Sequence, residues 1–127
     1  MKIQRFEDLE GWKKARELAN IVYDLTDRKE FMRDFRLRDQ IRDAAGSVMH
    51  NIAEGFDAGS DAEFTRFLKI ARRSASEVQS ELYLALDRRY VTADRLKTAY
   101  DKATEAKRLI NGLVAYLRRS ITQPPQA

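Results

Sequence analysis

His50 and Glu54 stand four residues apart, the spacing that sets two metal ligands or an acid–base pair on one face of a helix. One such pair makes no centre. His50 is the sole histidine, so a di-iron carboxylate bundle lacks the second of its two Glu-x-x-His elements. The chain has no cysteine, which excludes disulfides, thiolate catalysis, iron–sulfur clusters and cysteine zinc sites. Residues Gly55 to Gly59 come nearest to a phosphate-cradling loop, but they lack the glycine pattern and the Lys-Ser or Lys-Thr pair. Nothing resembles a nucleophile elbow. The expectation is a protein that is not an enzyme and holds neither cofactor nor metal.

What remains is hydrogen bonding and charge. Gln40, Ser47, Asn51 and Glu54 follow one another by 7, 4 and 3 residues and share a helical stripe. Further along the chain, Ser74, Ser76, Glu77 and Glu81 offer partners, and Arg42 and Arg72 offer counter-charges. Such a string reads first as a buried polar network that fixes helix register, and second as a pocket or partner groove.

The charge is unevenly spread. The chain of 127 residues has a net charge of +4, yet residues 1–63 hold 11 basic and 14 acidic side chains, and residues 64–127 hold 13 and 6. The basic half carries four doublets, Arg72-Arg73, Arg88-Arg89, Lys107-Arg108 and Arg118-Arg119. Asymmetry of this kind points to the phosphate backbone of RNA or DNA as a partner, with these eight residues as the contacts. The alternative is a scaffold for a protein partner, with the doublets serving only solubility; a small-molecule binder at the polar stripe ranks last.

The elements that position these residues are helical throughout. A first segment, about Glu7 to Arg28, places Leu9, Trp12, Ala15, Ala19, Val22 and Thr26 at steps of three and four. A short link is expected around Asp27 to Glu30. A second segment, about Asp34 to Glu54, carries Leu37, Ile41, Val48 and Ile52, and Gly55 is read as its stop. Ser60 and Glu63 form a capping box before a third segment, about Asp61 to Asp87. Thr92 caps a fourth, about Ala93 to Ser120. The apolar seams Phe64, Leu68, Ala71, Ala75, Val78, Leu82, Ala85 and Leu96, Ala99, Ala103, Ala106, Ile110, Leu113, Leu117 are unbroken heptads.

These patterns predict an all-α, antiparallel up-and-down four-helix bundle in a single domain over residues 1–120, with residues 121–127 a flexible tail around Pro124-Pro125. Phe67, Ile70, Tyr83, Leu84, Leu86, Leu109, Val114 and Tyr116 lie off the core stripes, more than one bundle can hide, which predicts a homo-oligomer. The longest apolar runs, Leu82 to Leu86 and Leu113 to Leu117, are five residues each, and Met1 to Leu9 has no apolar stretch. No membrane span or secretory signal is expected, and the cytoplasm is the default location.

The residues Asn51-Ile52-Ala53-Glu54-Gly55, preceded by Gln40-Ile41-Arg42 and followed by Glu63-Phe64, Arg66-Phe67-Leu68-Lys69-Ile70-Ala71 and Ser74, resemble the four-helix bundle proteins encoded in 23S rRNA intervening sequences. Phe6-Glu7-Asp8-Leu9, Trp12, Ala15, Leu18, Val22-Tyr23 and Leu25-Thr26 are similar to that family's first helix, so the likeness runs from about Phe6 to Arg119. The chain departs from the pattern at Asp43, Met49 and Arg73, and it reads Asp87-Arg88-Arg89-Tyr90 where Asp-Leu-Gly-Tyr is usual. The resemblance implies an antiparallel bundle that assembles into a homopentameric barrel without established catalytic activity. In architecture it is also similar to the accessory variability protein of diversity-generating retroelements, a basic pentamer that binds nucleic acid and a reverse transcriptase.

Overall fold

Five helices and one 3-10 turn, with no strand, make up the computed structural model, which describes residues 2–122. After the 3-10 turn Phe6–Asp8 come α1 (Glu10–Thr26), α2 (Lys29–Arg33), α3 (Phe35–Phe56), α4 (Asp61–Asp87) and α5 (Ala93–Thr122). The four long helices pack in a closed ring, α1 against α3, α3 against α4, α4 against α5 and α5 back against α1. Every neighbouring pair runs antiparallel. Ser47 meets Ser74 while Gly55 meets Phe64 and Phe67, and Arg72 meets Asn111 while Asp61 meets Ser120. Likewise Arg42 reaches Thr26, and Lys102 reaches Glu17 while Gly11 lies against Leu109.

The seam of α4 is buried along its whole length, from Phe64 to Ala85. In α5, Ala99, Ala103, Ala106, Ile110 and Leu117 are buried, while Leu96 and Leu113 are half-buried. Val114, read from its spacing as lying off the stripe, is buried too, because α5 faces two neighbours and its apolar face is correspondingly wide.

Four local features differ from the expectation. Leu9, in extended backbone, separates the opening 3-10 turn from α1, so the first helix starts later than its apolar spacing suggests. Where a short link pinned by Phe31 and Met32 was expected, Lys29–Arg33 form the helical turn α2; Phe31 does pin it, completely buried and stacked on Tyr90 at 5.2 Å, while Met32 is exposed. Gly55 does not stop α3. It lies inside the helix and buried, because a Cβ there would come within 2.7 Å of the Phe67 Cβ and 3.3 Å of the Phe64 carbonyl oxygen. The loop instead uses Gly59, at φ 91°. The fourth difference is at the other end of the chain, where α5 continues to Thr122. The rest of the predicted tail, residues 123–127, lies outside the described residues.

The caps explain where helices begin. The Asp34 carboxylate accepts the Leu37 amide at 3.1 Å and starts α3. The Ser60 hydroxyl accepts the Glu63 amide at 3.2 Å, while the Glu63 carboxylate turns to Arg66 rather than back to Ser60. The Thr92 hydroxyl accepts the Arg95 amide at 3.2 Å. No helix among the described residues is long and apolar enough to cross a membrane.

Candidate functional site

The polar string of α3 divides when it is placed against α4. Ser47 and Ser74 share a hydrogen bond of 2.9 Å across the helix pair, and the Asn51 amide donates to the Ser47 carbonyl at 2.8 Å and to its hydroxyl at 2.9 Å. Gln40, Glu54, Glu77 and Ser76 are exposed instead. Arg42 points elsewhere. Five residues before Ser47, it is turned by roughly 140° about the helix axis. Its guanidinium donates to the Thr26 hydroxyl at 2.7 Å and to Asp27 at 3.1 Å, and lies 4.5 Å from the Tyr23 ring, tying α3 to the end of α1. His50 is exposed, and among the described residues no three His, Asp or Glu side chains converge as a metal centre.

Two polar residues that the spacing did not single out carry more. Gln79 is buried between α4 and α5, where its amide donates to the Tyr100 carbonyl at 3.2 Å and the Thr104 hydroxyl at 2.9 Å, and its oxygen accepts from Lys107 at 3.1 Å. It follows Val78 directly in the sequence, and spacing alone does not distinguish it from a solvent-facing glutamine. Glu81, named only as a partner for the polar string, has a buried carboxylate oxygen with no hydrogen-bond partner among the described residues. Burial pushes this carboxyl up to about 7, and the nearby carboxylates of Glu77 and Asp43 push in the same direction.

A carboxyl raised in this way has a definite sign for stability. The folded state holds the Glu81 proton more tightly than the unfolded chain, so the contribution is full below about pH 4.5 and is lost as the pH climbs to about 7. Glu81→Gln is expected to flatten that slope. It should raise stability at pH 8 by about 1 kcal/mol, a value well below the full linkage energy because solvent screens the partly exposed side chain. Thermal melts of both proteins at pH 5 and pH 8 check it.

The four basic doublets do not form one surface. Arg72 donates to Asn111 at 2.8 Å, and Arg73 beside it is exposed with no side-chain partner among the described residues. Lys107 is committed to Gln79, whereas Arg108 turns to the other side of α5 and lines an apolar groove of about 440 Å³ with Leu9, Leu109, Leu113 and Tyr116. Arg88 and Arg89 end α4, about 24 Å along its axis from Arg72. Arg118 and Arg119 lie just before Ser120, whose hydroxyl donates to Asp61 at 2.8 Å, and so sit near the start of α4.

The strongest cationic feature combines one doublet with two residues outside the doublets. Arg66, Lys69, Arg72 and Arg73, with Ile70, line a cleft of about 500 Å³ along α4, and no carboxylate contributes to its walls. Arg66 is held over the Phe67 ring at 4.6 Å and paired with Glu63 at 3.1 Å, which fixes one edge. Lys69 makes no side-chain hydrogen bond or ion pair among the described residues. The spacing of Arg66, Lys69 and Arg73 by three and four residues was legible in the sequence, though adjacent pairs drew the attention. Chemically, such a cleft can hold an anion, the oxygens of a phosphate or of a carboxylate.

A family model described as 23S rRNA-intervening sequence protein matches residues 7–112. Among solved structures, the chain is similar to a protein of unknown function from the S23 ribosomal protein family of Bacteroides thetaiotaomicron VPI-5482. The identity is 26% and the TM-score 0.76, over 83% of this chain and 95% of that one. No curated protein matches the chain.

Proposed function

Since the chain belongs to the 23S rRNA-intervening sequence protein family, we propose that it is a non-enzymatic, cytoplasmic homo-oligomer that binds the backbone of RNA or DNA. The observation that carries this reading is the cleft of Arg66, Lys69, Arg72 and Arg73 on α4, with Glu63 paired to Arg66 at its edge. In the same reading Lys107, on the α4–α5 seam, and Arg118 and Arg119, near the start of α4, are further phosphate contacts. Contacts of this kind address phosphates, so binding is largely independent of base sequence.

Assembly supports the same function through charge. The apolar groove between α5 and the start of α1, together with Tyr83 at 51% and Leu84 at 50% exposure, is surface that a second copy would cover. Each copy brings a net charge of +4, so a pentamer multiplies the field fivefold. The second reading, a scaffold for a protein partner, is favoured by those same exposed side chains.

Pull-downs with and without nuclease separate the two. Loss of captured partners after nuclease treatment, and with the Lys69→Glu/Arg73→Glu variant, supports nucleic-acid binding. Retention under both conditions assigns the protein to scaffolding.

A further inference from the structure

A second cationic cluster occupies the far end of α4. Arg89 takes the left-handed conformation there, at φ 65° the only non-glycine residue with positive φ among the described residues. This backbone lets the Tyr90 amide reach the Ala85 carbonyl at 2.8 Å and the Arg89 amide reach the Leu86 carbonyl at 2.9 Å. Glycine fits such a position without strain and an L-residue does not. The strained arginine stands in a cleft of about 570 Å³, into which the α1–α2 turn brings Arg28, Lys29 and Glu30, and the α4–α5 turn brings Tyr90 and Thr92.

One wall of this cleft is pinned by contacts, and its cations are uncommitted among the described residues. Tyr90 stacks on Phe31 and donates from its hydroxyl to the Asp34 carboxylate at 3.0 Å, while the other oxygen of Asp34 caps α3. The side chains of Arg28, Lys29 and Arg89 have no hydrogen bond or ion pair among the described residues. One carboxylate, Glu30, faces three cations. At the same end of the bundle, next in sequence to Asp34, Phe35 is 65% exposed, with the Arg38 guanidinium 4.9 Å from its ring. A cationic cleft and an exposed aromatic ring at one end of a bundle are the two features by which proteins hold single strands, with phosphate on the cations and base on the ring.

We infer that the cleft of Arg28, Lys29 and Arg89 binds a phosphate of a single nucleic-acid strand, with an adjoining base stacked on Phe35. This rests on the nucleic-acid reading and adds to it a second contact, remote from the α4–α5 face and selective for single strands.

Arg89→Gly tests it sharply, since it removes a cation and relieves the backbone at once. Its melting temperature should rise by a few degrees, while its affinity for a single-stranded RNA 12-mer should fall about tenfold. Phe35→Ala should weaken the single strand by a similar factor and leave binding of a duplex of the same length unchanged. Unaltered 12-mer binding by both variants, with Lys69→Glu/Arg73→Glu impaired, overturns the inference and leaves the α4–α5 reading standing. No binding by the wild-type protein overturns both. Equal affinity for a polyglutamate peptide assigns the cleft to acidic peptides, and displacement of the strand by micromolar AMP assigns it to free nucleotides; either result overturns the inference.

Discussion

Gly55→Val is expected to destabilise the protein by about 3 kcal/mol and to lower its melting temperature by roughly 10 °C. The reason is steric. A Cβ at position 55 falls 2.7 Å from the Phe67 Cβ, 3.0 Å from a Phe64 ring carbon and 3.3 Å from the Phe64 backbone oxygen. Neither the first turn of α4 nor the Phe67 Cβ, which is fixed to its own backbone, can retreat without opening the α3–α4 contact. Helix propensity slightly favours valine over glycine and offsets only a few tenths of a kcal/mol. Gly112→Ala is the matched control, because its Cβ meets nothing within 4 Å. That change should stabilise α5 by roughly 0.5–1 kcal/mol. Melting curves of the two variants in one buffer should therefore move in opposite directions.

The second large effect concerns function. Reversing the charge at Lys69 and Arg73 places two carboxylates in a cleft whose walls otherwise hold Arg66, Arg72 and Ile70. Each reversal removes a phosphate contact and adds repulsion, so affinity for a nucleic-acid strand should drop by roughly a hundredfold or more at low salt. Stability should change little. Both side chains are exposed and neither makes an ion pair among the described residues. Fluorescence anisotropy with a labelled strand, read beside a thermal melt, checks both halves.

Spacing revealed most of the bundle because heptad seams are set by which faces meet, and α4 and α5 meet neighbours along nearly their whole length. The Ser60 and Thr92 caps were equally readable, since a cap is a contact within four residues. Gly55 was not, for a glycine after an apolar run looks the same whether it ends a helix or admits a neighbour, and here Phe64 and Phe67, close only in the fold, decide it. The same limit applies to charge. Adjacent residues on a helix diverge by about 100°, so the Lys107-Arg108 doublet splits, one member to Gln79 and the other to the groove beside α1. Residues three and four apart share a face, which is why Arg66, Lys69 and Arg73 line one cleft. The Arg28, Lys29 and Arg89 cluster joins segments some sixty residues apart, a proximity set by the stacking of Phe31 on Tyr90 rather than by any local pattern.

Phosphate recognition by the α4 cleft is tested most directly by titrating a labelled RNA strand with the purified wild-type protein at stepped salt concentrations. With four cations in that cleft alone, the logarithm of the association constant should fall linearly with the logarithm of salt, with a slope at least as steep as about −3 for a single strand. A flat dependence, or no association at 50 mM salt, would contradict it.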